Sequence, residues 1–148
     1  MRWHAERKKP DDGDDPMLRH VKDGSQWRAL NGFYRYSECD ARNIVLSACT
    51  DGMDPFGNQN TNHSTWPMFV WMYNLPPWLC MKSKYIHMSM LIQGPKQPGN
   101  NINLYLGLLQ EELDTLWKTP AKTWDTSKGE YFNMRAALIT IVDRKSVV

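Results

Sequence analysis

The chain has 148 residues, 41% of them hydrophobic, and a formal net charge of +2. This length supports one ordinary domain with a real core, and the mixed charges remove the case for a strongly basic nucleic-acid binder, so any DNA contact must be local. The N-terminus carries no apolar signal core and no run reaches bilayer-spanning length, so the chain reads as intracellular, soluble and without a membrane partner.

Met1 to Gly24 is polar, with the acidic run Asp11, Asp12, Asp14 and Asp15, and reads as a solvated, mobile N-terminal arm. Trp27, Leu30, Phe33 and Tyr34 then recur at near-helical spacing and predict a short helix over 25–36. Asn43 to Thr50 is too continuously apolar for a half-exposed strand and predicts a buried one, broken by Gly52, Pro55 and Gly57. Asp51 therefore sits at a strand's carboxyl end, where a carboxylate can hold Mg²⁺ or Mn²⁺ or serve an Asx-turn or helix cap, and spacing alone leaves both readings open.

Trp66 to Tyr73 predicts a second strand, stopped by Leu75-Pro76-Pro77, and Tyr85 to Gln93 a third, stopped by Gly94-Pro95 through Pro98-Gly99. Asn100 or Asn101 is expected to cap a helix running to Lys118, with Ile102, Tyr105, Leu106, Leu109, Leu113 and Leu116 as its apolar stripe. Trp124 to Phe132 reads as a turn about Ser127-Lys128-Gly129, and Ala136 to Val142 as a further buried strand. The order is three strands, a helix, then a strand.

Cys39, Cys49 and Cys80 are odd in number and far apart, so buried thiols are expected rather than disulfides or zinc ligands. His4, His20, His63 and His87 form no ligand spacing and read as surface or loop histidines. Core packing is the expectation for Trp66, Trp71 and Trp78, with base stacking as the functional alternative. Arg28, Arg35, Arg42, Lys82 and Lys84 are available to phosphates, although a solvated surface explains each. Walker-type phosphate loops, His-Glu-x-x-His and Gly-x-Ser-x-Gly are all missing from the sequence.

Three longer runs go further: Thr50-Asp51-Gly52-Met53-Asp54-Pro55-Phe56-Gly57, Asn74-Leu75-Pro76-Pro77-Trp78-Leu79-Cys80-Met81-Lys82 and Gly94-Pro95-Lys96-Gln97-Pro98-Gly99. Through them, and from Met1 to about Val142, the chain resembles the transposases of plant CACTA (En/Spm-like) DNA elements. The resemblance implies an α/β fold, a truncated ribonuclease-H-like core of three antiparallel strands, a helix and a further strand over 25–142, behind an irregular arm over 1–24. It implies a nuclear enzyme acting on transposon-end DNA through a larger parent protein, and leaves oligomerisation of that parent open. In such cores an Asp ending strand one and another just after strand four hold two Mg²⁺ or Mn²⁺ ions, and a third acidic residue comes from a later helix. Asp51 matches the first position, and Asp54 beside it, followed by Pro55, reads as a turn residue.

Asp143 falls at the second position, but Arg144 follows where the family has an aromatic or aliphatic residue and then Pro. Asp143 to Val148 also reads as the translation of a sequencing adapter, so 143–148 are expected to be read-through and the chain an inactive window on a longer enzyme. The competing expectations are a host-adopted, non-catalytic DNA-binding or interaction protein, and a decayed element.

Overall fold

The computed structural model describes residues 20–34, 40–55, 64–94, 96 and 98–143. Its elements in chain order are α1 (Ser25–Tyr34), β1 (Ile44–Thr50), β2 (Trp66–Met72), the single turn α2 (Pro77–Cys80), β3 (Ile86–Ile92), α3 (Ile102–Lys118), β4 (Ala121–Asp125), β5 (Glu130–Met134) and β6 (Ala136–Asp143). The main sheet has the order β3-β2-β1-β6, while β4 and β5 form a separate two-stranded hairpin. β1 pairs antiparallel with β2 and parallel with β6, and β2 pairs antiparallel with β3, so the sheet is mixed.

The two faces of this sheet follow from strand alternation. Val45 packs with Trp27 of α1, joined by Val21, Leu30, Tyr73, Ala137 and Ile139. Trp66 lies an even number of residues from Met72, which pairs with Leu46, so it projects from the face opposite Val45. There Trp66 packs with Ile92 and Ile102, and with Met90, Tyr105 and Leu106 around them. Helices thus cover both faces, which explains why no residue of β1 is charged or exposed and why even its polar members, Ser47 and Thr50, are buried.

A register shift between Leu46 and Ser47 pairs Leu46 with Leu138 and Ser47 with Thr140, leaving Ile139 as the extra residue of a bulge on β6. Ile139 follows Ala137 onto the Trp27 face by ordinary alternation, and the bulge brings Thr140 to that same face, where its hydroxyl donates to the Gln26 side chain of α1 at 3.4 Å. At the far end of β6, Ile141 and Val142 are exposed, as are Leu104 and Leu108 on α3.

Several expectations need correction. His20 is buried: its imidazole accepts from the Lys22 amide and Asp23 reciprocates on the His20 amide, capping a 3₁₀ turn over Val21–Asp23. That turn stands directly before α1, and 1–19 lie outside the described residues. Asn101 occupies the N-cap of α3 without a side-chain hydrogen bond, because the 3₁₀ turn Gly99–Asn101 already winds the backbone into the helix. The segment read as one turn, Trp124 to Phe132, belongs to the β4–β5 hairpin, whose turn closes on Gly129 at φ 66°.

Candidate functional site

Asp51 follows the last residue of β1 and is exposed. On the neighbouring parallel strand, Asp143 is the last residue of β6, and its Cα pairs with that of Thr50. Two carboxylate-bearing positions therefore stand at the same end of adjacent parallel strands, one residue apart in level. Thr50 between them is buried, and its hydroxyl oxygen has no hydrogen-bond partner among the described residues. Gly52 seats the chain beyond Asp51 against Trp66: a Cβ at Gly52 would lie 2.8 Å from the indole, closer than a side chain tolerates. The exit from β1 is thereby held against a buried ring.

The opposite end of β1 is fixed by a polar girdle. Asn74 is fully buried, and its side-chain amide accepts from the Val45 N–H at 2.7 Å and donates to the Asn43 carbonyl at 2.7 Å. The Asn43 side chain accepts from the Arg135 N–H at 3.0 Å, and the Arg135 guanidinium donates to the Trp117 carbonyl at 3.2 Å. These bonds tie the starts of β1 and β6 to the end of β2 and to α3. Asn74 was read only as part of a family run; a buried amide leaves no hydropathy signal that would mark it.

Arg42, considered above for phosphate contact, is instead committed within the fold. Its guanidinium pairs with Asp40 at 2.7 Å, Asp125 at 3.0 Å and Glu130 at 2.9 Å, and lies 4.0 Å from the Phe132 ring centroid. It latches the hairpin to the entrance of β1. Arg42 holds the Asp125 carboxyl far below the usual carboxylate range, with help from Ser127, and it lowers Asp40 as well. Carboxyls depressed in the folded state bind fewer protons than in the unfolded chain, so the latch contributes fully above about pH 4 and is lost as pH falls further. We expect Arg42→Leu at neutral pH to lower amide protection factors across 121–134 about tenfold while those in β1 and β2 change less, and the same hairpin protection to decline progressively in wild type as pH falls well below about 4. Uniform protection across the hairpin in the variant would contradict the latch.

Other candidates separate cleanly. Trp66 and Trp71 are core residues, whereas Trp78 on α2 is 64% exposed. Arg28, Lys82, Lys84 and His87 are exposed, and Arg35, His4, His63 and Cys39 lie outside the described residues. Cys80 is buried and Cys49 half-buried, and both are free thiols, pushed up by burial and, for Cys49, by the neighbouring Asp51 carboxylate. Among the described residues no group of three or more His, Cys, Asp or Glu is placed to hold a metal ion. The donor chemistry at the end of β1 is nonetheless hard: the Asp51 carboxylate, the Asp143 position and the Thr50 hydroxyl offer oxygen, which suits Mg²⁺ or Mn²⁺ and not a thiol-seeking ion. No described helix is long and apolar enough to cross a membrane.

The molecule is thus a mixed-sheet α/β protein with aspartates at the same end of two adjacent parallel strands. It belongs to the transposases: the model of the family described as Transposase family tnp2 matches residues 15–146, nearly the whole chain. No curated protein and no solved structure matches it.

Proposed function

We propose that this chain carries the metal-binding strands of a DNA transposase with a ribonuclease-H-like core, of the CACTA (En/Spm-like) kind, acting in the nucleus on transposon-end DNA. The observation that carries this reading is the parallel pairing of β1 with β6, which sets Asp143 beside Thr50 and one residue from Asp51. The strand order β3-β2-β1-β6, with three antiparallel strands followed by a helix and a parallel strand, supports the same core.

In this reading Asp51 and the residue at 143 would hold Mg²⁺ or Mn²⁺. Such ions supply an activated attacking oxygen and charge stabilisation on the leaving oxygen during phosphodiester hydrolysis and strand transfer. Asp51 contributes a fixed anionic oxygen, and its fixity is built in: β1 is hydrogen-bonded on both sides and its exit rests on Trp66. A rigid strand end keeps a ligand within the small positional tolerance that such chemistry needs.

The test is cleavage of element-end DNA by a transposase bearing this domain, with Mg²⁺, with Mn²⁺ and with excess chelator. Strand breaks at the element ends that require either cation are expected. Breaks that persist in chelator, or DNA binding with no cleavage under any cation, would overturn the catalytic reading in favour of a non-catalytic DNA-binding role.

A further inference from the structure

The hairpin left over from the catalytic reading has two chemically different faces. Alternation points Thr123, Asp125 and Phe132 inward to Arg42, and Lys122, Trp124, Tyr131 and Asn133 outward, where all four are exposed. Trp124 and Tyr131 face each other across the strands with ring centroids 4.9 Å apart, yet remain 50% and 61% exposed. The Lys122 ammonium stands 4.7 Å from the Tyr131 ring centroid. The hairpin's two carboxylates, Asp125 and Glu130, are drawn to Arg42 instead. The outward face therefore carries a cation and two aromatic rings and no carboxylate.

We propose that this face is a stacking site for an unpaired base of single-stranded DNA, with Trp124 as the platform, Tyr131 as its brace and Lys122 positioned for the adjoining phosphate. The inference rests on the DNA reading above. Positive charge complements the phosphate, and an aromatic ring takes any base by its π face, which a duplex presents only at its ends. The Arg42 latch fixes the hairpin before ligand arrives, so little ordering cost is added on binding. The hairpin meets the entrance of β1 through its inward face, whereas Asp51 lies beyond the exit of β1, seven residues after Ile44 and roughly 23 Å from it at strand rise. Hairpin and strand-end site would accordingly hold different nucleotides of one strand.

The experiment is fluorescence anisotropy of the full chain with a labelled oligothymidine in chelator, which silences any cation-dependent chemistry. Trp124→Ala is expected to weaken binding about tenfold, within the range for one stacked base, and Trp124→Phe to retain it within about threefold. Lys122→Gln should lower the salt slope by about one contact. Equal affinity of Trp124→Ala and wild type, with an unchanged circular dichroism spectrum and melting curve, would overturn the proposal. So would a concentration-dependent dimer that Trp124→Ala dissociates, because a second copy would then be what covers the face. Trp124-dependent binding without cation-dependent cleavage would sink the catalytic reading alone. Cleavage with no effect of Trp124→Ala on oligothymidine affinity would sink the hairpin alone.

Discussion

In a transposase bearing this domain, Asp51→Ala is expected to reduce cation-dependent DNA cleavage by at least about a thousandfold while leaving the melting temperature of the domain within about two degrees. The first half follows from the proposed role: losing one of very few anionic ligands forfeits several kcal/mol of transition-state charge stabilisation, and each 1.4 kcal/mol is about tenfold in rate. The second half follows from position. Asp51 is exposed and lies just outside β1, so its loss opens no cavity. Asp51→Glu should fail nearly as badly, because an added methylene displaces the carboxylate from a strand end that cannot shift. A variant that cleaves normally would remove Asp51 from the chemistry, and one that melts far lower would make it a structural residue.

The largest effect on stability is expected from Asn74→Ala, at about 3 kcal/mol. The substitution strands two buried backbone groups, the Val45 N–H and the Asn43 carbonyl, each costing about 1–3 kcal/mol when left unsatisfied. For a domain of this size that corresponds to roughly 10 °C in melting temperature. Asn74→Asp should also destabilise, since a carboxylate keeps the acceptor for Val45 but loses the donor to Asn43 and adds a buried charge. Thermal melts of both variants would check this, and a shift under about 2 °C for alanine would show that the girdle is dispensable.

Hydropathy made the main sheet and α3 legible in the sequence because burial on both faces leaves nearly continuous apolar runs, as in Ile44 to Cys49, interrupted only by Ser47, and Trp66 to Trp71. Gly94 and Pro98 then marked the stop between β3 and α3. The β4–β5 hairpin was not legible, because its inward face is ionic: Asp125 and Glu130 face Arg42 across more than eighty residues, and local patterning carries no trace of that pairing. For the same reason Arg42 read as a surface cation. His20, read as a surface or loop histidine, does lie in a loop, and it is buried there because Trp27 and Tyr73, whose rings stand 6.3 and 6.5 Å away, come together around it only in the folded chain. At the strand-end site, Asp51 was legible as a carboxylate ending an apolar run. Its nearness to position 143 depends on β1 and β6 pairing in parallel, which spacing alone does not fix.

The pairing of β1 with β6 also sets an order of events during synthesis. Asn43 and Arg135, which open that ladder, are 92 residues apart, with β2, β3, α3 and the hairpin between them. Closing so long a loop is entropically late, whereas β1, β2 and β3 meet through far shorter connections. On a ribosome the β1–β2–β3 meander can therefore form while the remainder is still being made, and the acidic site exists only after β6 has emerged and docked. Nascent chains that stall before that point would hold Asp51 without its neighbour, so the proposed ligand pair would be completed only by the last strand of the domain to be translated.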